Sequence, residues 1–195
     1  MAIGQRTRTS SVPCGHLVVA YDLAVDSSLI VRPARVQDVK QMARVHVRCW
    51  QETYRGLMPD AVLDDPGFPA ARERMWTDVL TSERYRRNRV AVAERDRELA
   101  GIAMSGPPED VTAAWVRQLY VLYVYAADHG TGAGGALLEA VIDSAEPAAL
   151  WVADPNPRAQ AFYRKHGFVA DGTARSEDGV REIRMVRSVP HGGIS

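Results

Sequence analysis

The sequence contains few cysteines and no excess of charge of either sign. Cys14 and Cys49 are the only cysteines among 195 residues, too few for a disulfide framework or a structural zinc site. The 24 basic and 24 acidic residues cancel, so no global electrostatic field draws the chain to nucleic acid or to an anionic membrane surface. These absences predict a protein of the reducing cytoplasm that binds neither metal nor nucleic acid and recognises its ligands in a pocket.

Long apolar runs are absent as well, so we expect no membrane partner. The apolar run Leu17–Ala20 is interrupted by Asp22, well short of a signal-peptide core. With 46% hydrophobic residues, the chain can form one full core. We therefore expect a flexible extension or an added edge strand over residues 1–28, a single domain over 29–189 and a C-terminal tail over 190–195.

The most informative stretch runs from Leu119 to Gly135 and has the sequence LYVLYVYAADHGTGAGG. A run rich in β-branched and aromatic residues precedes four closely spaced glycines and an amphipathic segment, which predicts a strand, a tight turn and a helix. Glycine lets the backbone approach a ligand closely, and unpaired N–H groups at a helix N-terminus attract phosphate oxygens. The pattern therefore predicts a site for a phosphate-bearing cofactor.

The same glycines also allow a dinucleotide-binding interpretation. Gly130, Gly132 and Gly135 satisfy the G-x-G-x-x-G spacing. Asp154 follows at about the distance of a ribose-binding acid. Against this interpretation, Tyr125–His129 separate the strand from the first glycine, and too few residues follow Gly135 for a doubly wound domain. An NAD-binding oxidoreductase is the alternative that this spacing leaves open, whereas P-loop and G-x-S-x-G motifs are absent.

Alternating patterns predict strands, and 3.6-residue periodicity predicts helices. The predicted strands are Ser28–Arg32, Val90–Glu94, Leu99–Ser105, Val116–Val124, Leu150–Ala153, Phe168–Asp171 and Glu182–Arg187. The predicted helices are Val36–Thr53, Ala61–Leu63, Ala70–Thr81, Ala133–Ala145 and a helix that follows Asn156. Asn156 and Pro157 suit the start of this last helix, and Gly167 suits its end.

Three motifs follow one another in the second half of the chain. They are Leu122-Tyr123-Val124, His129-Gly130-Thr131-Gly132-Ala133-Gly134, and Asn156-Pro157-Arg158-Ala159-Gln160-Ala161-Phe162-Tyr163 continuing to Gly167-Phe168. Together they resemble the GCN5-related N-acetyltransferase (GNAT) family, and the resemblance covers residues 29–187. It implies an α/β (α+β) fold with a mixed, mostly antiparallel β-sheet flanked by helices, whose two central strands splay apart to admit acetyl-coenzyme A.

The resemblance also implies which residues bind the cofactor. Backbone groups of the central strand would bond the pantetheine amides as a missing strand would, and N–H groups of the glycine turn would hold the pyrophosphate. The implied cofactor-binding residues are Leu122, Tyr123, Val124, His129, Gly130, Thr131, Gly132, Ala133, Gly134, Asn156 and Tyr163. Relatives more often have glutamine or a basic residue at the positions of His129 and Thr131. We therefore expect weaker phosphate binding and a pH dependence contributed by His129.

Tyr163 matches the tyrosine that faces the cofactor sulfur in the family, which implies a general acid toward the departing thiolate; a core aromatic is the alternative role. A strand N–H near Val124 is expected to stabilise charge on the thioester oxygen. The acceptor amine must lose a proton before it attacks, and many relatives place a glutamate on the central strand. Gln118 stands near that place and cannot act as a base, so we expect a water relay or a carboxylate, with Glu94 as the candidate.

Trp50 and Tyr54 match a stretch that lines the acceptor side in similar proteins, although a core aromatic pair explains their spacing equally well. The predicted function is direct transfer of an acetyl group from acetyl-coenzyme A to a primary amine of a small molecule, a peptide N-terminus or a peptide side chain. A homodimer would be in keeping with the family. The alternative that Gln118 motivates is a non-catalytic acyl-coenzyme A sensor.

Overall fold

The structure is a computed structural model that describes residues 29–110, 112–177 and 179–188. The extension predicted over residues 1–28 and the tail predicted over 190–195 lie outside the described residues. The strands are β1 (Ile30–Pro33), β2 (Arg89–Arg95), β3 (Glu98–Gly106), β4 (Arg117–Val124), β5 (Ala148–Ala153), β6 (Val169–Glu177) and β7 (Val180–Arg187). The α-helices are α1 (Val39–Tyr54), α2 (Asp60–Leu63), α3 (Phe68–Thr81), α4 (Ala133–Val141) and α5 (Pro157–Lys165). None of the helices in these ranges combines the length and the apolar composition that crossing a bilayer requires.

The strands form one sheet in the order β1-β2-β3-β4-β5-β7-β6. β4 and β5 are parallel neighbours, and each of the other neighbouring pairs is antiparallel. The mixed, mostly antiparallel sheet predicted from the sequence is therefore confirmed. A doubly wound dinucleotide-binding domain is built on a mostly parallel sheet, so the observed topology contradicts that alternative.

Helices cover both faces of the sheet and create two cores. α1 and α3 contribute to the first core, in which Trp76 is fully buried. α4 and α5 contribute to the second, in which Phe168 is fully buried. Successive residues of a strand point to opposite faces, and in β4 Tyr123 therefore joins the first core while Leu122 joins the second. β4 thus contacts both layers of helices.

Two predicted boundaries differ by several residues: β6 continues to Glu177 and does not end at Asp171, and α4 ends at Val141 and not at Ala145. Ile142 has extended backbone angles and is 1% exposed, so its burial in the second core takes the chain out of the helix. The turn that follows is held from β7, where Arg187 Nη2 donates to the carbonyl oxygen of Asp143 at 2.6 Å. Tertiary packing, which local periodicity does not report, therefore ends this helix.

Candidate active site

The parallel strands β4 and β5 separate part of the way along their length. Three residue pairs join them: Arg117–Ala148, Gln118–Ala149 and Leu119–Leu150. Beyond these pairs, β4 stays paired with β3 as far as Val124, and β5 stays paired with β7 as far as Ala153. The two strands therefore diverge and leave an opening between them, which confirms the splayed central strands that the resemblance implied.

Backbone groups of β4 point into this opening. Tyr125 directly follows β4, and its N–H donates to the carbonyl oxygen of Ala100 on β3 at 3.0 Å. Because backbone groups of successive residues in a strand alternate in direction, those of Leu122 and Val124 point away from β3. They face the side from which β5 has departed. An extended chain that contains amides can bond to such an edge as an added strand.

The loop between β4 and α4 contains two glycines with left-handed backbone angles. Gly130 has φ of +83° and Gly132 has φ of +92°, conformations that are unfavourable for residues with a Cβ. A Cβ at either position would meet none of the described atoms within 4 Å, so backbone conformation and not crowding calls for glycine. Gly132 is the N-cap of α4, and none of the described side chains caps this helix. The first N–H groups of α4 are therefore left for an anion.

Gly134 and Gly135 serve a different purpose. A Cβ on Gly134 would lie 3.2 Å from Cε2 of Phe162, and one on Gly135 would lie 3.3 Å from Nε2 of His166. Phe162 belongs to α5 and His166 directly follows it. These two glycines therefore allow α4 and α5 to pack closely, and the backbone N–H is what Gly134 can offer to a cofactor.

The side chains of His129 and Thr131 are engaged within the loop. Nε2 of His129 lies 2.9 Å from the carbonyl oxygen of Val124, to which it donates when it carries the proton. The hydroxyl of Thr131 donates to the carbonyl oxygen of Asp128 at 2.8 Å, and Arg95 of β2 forms an ion pair with Asp128. These contacts fix the loop to the sheet. An anion at this loop would therefore meet main-chain groups before it met these side chains.

Asn156, the N-cap of α5, and Tyr163, within α5, lie on the other side of the opening. Oδ1 of Asn156 accepts the N–H of Ala159 at 3.1 Å, which confirms the predicted N-cap and leaves the Nδ2 group for another acceptor. Tyr163 is 9% exposed and lies in the second core, where Leu122 also packs. Burial, and then the nearby phenol of Tyr54, raise the pKa of Tyr163, so its hydroxyl stays protonated.

Trp50 and Tyr54, at the C-terminal end of α1, lie on the opposite face of the opening. Both are half-buried, and they pack on a small cluster whose buried members are Met58, Leu63, Ala153 and Val180. The ring centroids of Trp50 and Tyr54 are 5.3 Å apart, and Nε1 of Trp50 donates to the hydroxyl of Tyr123 at 2.8 Å. The pair therefore connects β4 with β5 and β7 across the opening. Its predicted contact with the acceptor stays a prediction.

The phenols of Tyr54, Tyr123 and Tyr163 influence one another's pKa near the opening. The side chain of Tyr123 turns toward α1 and not into the gap, and burial, followed by the nearby phenol of Tyr54, raises its pKa. Tyr163 adds a smaller effect of the same sign. Tyr163 belongs to the second core and Tyr54 to the α1 side, and the phenol of Tyr54 contributes to the raised pKa of Tyr163 across the opening.

Two residues near the opening received no functional role from the sequence. His46 is 3% exposed, and neither ring nitrogen has a hydrogen-bond partner among the described residues. Its ring centroid lies 4.9 Å from that of Tyr123, and burial, with a smaller effect of Arg72, lowers the pKa of His46 to about 3. The signal available in the sequence was its place on the apolar face of α1.

Glu182 of β7 is the second of these residues. Burial, followed by the carboxylates of Glu182 and Glu177 in that order, raises the pKa of Tyr54 to about 12. Glu182 pairs with Ala153, a member of the cluster on which Tyr54 packs, so Glu182 lies in the same region of the sheet as Tyr54. No local spacing relates Glu182 to α1, because the two are separated by most of the chain and meet only in the folded sheet.

Glu94, the base proposed from the sequence, is not brought together with these residues. It lies on β2 and accepts Nε of Arg32 at 2.8 Å, and Nη1 of Arg32 donates to Asp38 at 2.7 Å. Asp38 directly precedes α1, whose last residue is Tyr54. A helix of 16 residues is about 24 Å long. Glu94 thus belongs to an ion-pair cluster near the far end of α1, and its position does not support a role at the opening.

Comparison with known families identifies the class of protein that this fold and opening represent. The sequence model of the family described as an acetyltransferase (GNAT) domain matches residues 64–189 of this chain. The chain therefore belongs to the GNAT acetyltransferase family, as its three motifs predicted, and it is an acyltransferase.

Individual relatives agree with this assignment. The chain is 29% identical over 178 residues to Rv2775 of Mycobacterium tuberculosis, described as a probable N-acetyltransferase, and the match covers 85% of this chain and 98% of the relative. The fold resembles the crystal structure of histone acetyltransferase HPA2 and related acetyltransferase from Corynebacterium glutamicum, with a TM-score of 0.65, 23% identity and coverage of 86% and 99%. It also resembles the PaiA N-acetyltransferase of Thermoplasma acidophilum, solved in complex with coenzyme A, with a TM-score of 0.61, 18% identity and coverage of 80% and 98%.

Proposed function

We propose that this protein transfers an acetyl group directly from acetyl-coenzyme A to a primary amine of a small molecule or a peptide. The observation that carries the proposal is the opening between β4 and β5, with the backbone groups of Leu122 and the N–H of Val124 turned into it, while Nε2 of His129 lies 2.9 Å from the carbonyl oxygen of Val124. A pantetheine arm has amides along an extended chain, and this edge supplies donors and acceptors in the matching direction. The PaiA relative binds coenzyme A, which supports the same cofactor here.

The loop from His129 to Gly134 fits the pyrophosphate of such a cofactor. Its positive-φ glycines expose N–H groups, and α4 begins without a side-chain cap. Anions are favoured at this end of a helix by the unpaired N–H groups and by the helix dipole. Asn156 adds an Nδ2 donor that its cap does not use. We expect the backbone, and not the side chains of His129 and Thr131, to provide most of the phosphate affinity.

Two groups support the chemical step. The N–H of Val124 points into the opening, where it would stabilise charge that develops on the thioester oxygen. Tyr163 is held protonated by burial, so it offers a hydrogen bond to the sulfur as the C–S bond breaks. Because a raised pKa makes a phenol a weaker acid, Tyr163 acts first as a donor to the leaving sulfur and loses its proton only when thiolate charge has developed.

Calorimetry and thiol release test this proposal. Acetyl-coenzyme A at one hundred times its dissociation constant should stabilise the protein by about 2.7 kcal/mol, whereas NADH should not. Free thiol should appear when acetyl-coenzyme A is mixed with a panel of primary amines. Binding without turnover over the whole panel would favour the sensor alternative, and no binding would end the proposal.

Replacing Tyr163 with Phe tests its role within this reaction. Removing a positioned proton donor costs about 10²-fold in kcat, and we expect that loss together with nearly unchanged coenzyme A affinity. Tyr85→Phe is the matched control, because Tyr85 follows α3 and lies outside the opening. Equal turnover by the Tyr163 variant and the wild type would remove Tyr163 from the mechanism.

A further inference from the structure

Glu182 lies at the open end of the gap between β4 and β5. It pairs with Ala153, the last residue of β5, and so stands beyond the point at which β4 and β5 have separated. Val180 and Glu182 are two residues apart on β7 and share one face of the sheet. Tyr54 packs on the cluster that contains Ala153 and Val180. The carboxylate of Glu182 is therefore a neighbour of the Tyr54 ring by strand register alone.

The contacts of Glu182 leave part of its carboxylate for another donor. Nε of Arg175 donates to Oε2 of Glu182 at 2.8 Å, and the Glu182 side chain is 16% exposed. The same guanidinium also forms an ion pair with Glu177. An ionised carboxylate accepts through both oxygens, so this single bond to Oε2 leaves Oε1 with acceptor capacity. One arginine shared by two acids leaves the group with a net negative charge.

The surroundings of Glu182 suit a cation. The guanidinium of Arg72 covers the ring of Trp50 at 5.0 Å, so the aromatic face left for an ammonium group beside Glu182 is that of Tyr54. Tyr163, the residue proposed to face the sulfur, lies across the opening from Tyr54, whose phenol contributes to its raised pKa. An ammonium group bound between Glu182 and Tyr54 would therefore lie next to the point where the thioester is expected.

We propose that Glu182 binds the ammonium group of the acceptor at the open end of the gap and takes its proton before the attack. This inference rests on the proposed acetyl transfer and names the class of acceptor as cationic alkylamines. Free alkylamines have a pKa near 10 and are almost fully charged at pH 7, so they need both a counter-ion and a base. The role that the sequence analysis gave to Glu94 passes to Glu182.

The proposed step balances in protons and electrons. Glu182 accepts one proton from the ammonium group, and the nitrogen lone pair forms a C–N bond to the carbonyl carbon while the C–S bond breaks. Tyr163 gives its proton to the leaving sulfur and receives the second proton of the nitrogen. Glu182 then releases its proton to water. The products are the acetylated amine, the free thiol and one proton, with no redox change.

The test compares Glu182→Gln with Arg175→Gln. The first variant removes the carboxylate with little change of shape, and the second keeps the carboxylate but removes the guanidinium that pairs with Glu182 and Glu177 and lies over the ring of Trp151. If Glu182 acts on the amine, kcat/KM for an alkylamine falls about 10²-fold in Glu182→Gln and stays within about threefold of the wild type in Arg175→Gln. Similar losses in both variants would show that the ion pair matters for structure and would overturn the proposal.

A second measurement separates proton removal from damage to the site. A hydrazide is uncharged at pH 7 and needs no base, so Glu182→Gln should acetylate it at close to the wild-type rate. A defect of equal size for the hydrazide and the alkylamine would overturn the proposal, as would a larger loss in Glu177→Gln than in Glu182→Gln. Acetyl-coenzyme A binding and turnover by the wild type are measured alongside, so the acetyl-transfer proposal can fail or stand independently of Glu182.

Discussion

The two sides of the opening are built from different parts of the chain. The side assigned to the cofactor presents main-chain groups from Leu122, Val124 and the loop that starts α4. The side assigned to the acceptor presents side chains from α1, β6 and β7, among them Trp50 and Glu182. Main-chain recognition needs only a strand edge and glycines, so it survives wide sequence divergence. Side-chain recognition changes with single substitutions, which suits the component of the reaction that differs among relatives.

The contrast between main-chain and side-chain recognition predicts that the largest effect on turnover comes from removing one backbone donor. Val124→Pro deletes an N–H that points into the opening and breaks no bond to β3, because β4 is a local edge on that side. We expect a fall in kcat of about 10²- to 10³-fold, the usual cost of losing an oxyanion-stabilising donor. The measurement is steady-state thiol release at saturating acetyl-coenzyme A.

Val124→Ala is the control for this experiment, since it shortens the side chain and keeps the N–H. It should retain turnover within a few-fold of the wild type. A folded proline variant with wild-type kcat would show that the N–H of Val124 contacts nothing in the transition state. A matching loss in both variants would assign the effect to the side chain.

The same difference explains how far the sequence could predict the site. A strand followed by closely spaced glycines is a local pattern, so the loop at Gly130 and Gly132 and the N-cap at Asn156 were predictable from neighbouring residues. Glu182 was not, because it approaches Tyr54 only through the β5–β7 register. Gly134 shows a third case, in which one glycine pattern contains residues needed for backbone angles and residues needed for helix packing.

A smaller effect is expected when the loop is changed without removing a donor. Gly132→Val forces a β-branched residue into a left-handed conformation, a strain of about 1–3 kcal/mol. If the loop holds the pyrophosphate only in this conformation, relief of the strain should weaken acetyl-coenzyme A binding by roughly tenfold. Isothermal titration calorimetry measures this change.

Gly172→Val is the matched control, because Gly172 has φ of +87°, open space around it and a position on β6. Both variants should lose similar stability in thermal melts. Only Gly132→Val should lose cofactor affinity. Equal affinities in the two variants would mean that the loop conformation does not matter for binding.

On the acceptor side, Trp50→Phe keeps an aromatic face and deletes the N–H that bonds to Tyr123 at 2.8 Å. A hydrogen bond of this kind contributes about 0.5–1.5 kcal/mol, so we expect the acceptor KM to rise about two- to tenfold. The affinity for coenzyme A should not change. Tyr123→Phe deletes the same bond from the other partner and should have the same effect. A change in coenzyme A affinity instead would assign Trp50 to the cofactor side.

The smallest effect concerns stability and again separates the two sides, because the buried histidine lies with the acceptor-side aromatic residues. His46 is neutral in the fold, where burial lowers its pKa to about 3, whereas the unfolded chain binds a proton near pH 6.5. The contribution of neutral His46 to the free energy of unfolding is therefore fully present above pH 6.5. It is lost progressively as the pH falls toward 3, by about 1.4 kcal/mol per pH unit. Between pH 7 and pH 5, the free energy of unfolding measured in urea should thus fall by about 2 kcal/mol more for the wild type than for His46→Leu. Parallel losses in the two proteins would show that His46 is charged in the fold and that its ring nitrogens have found a partner.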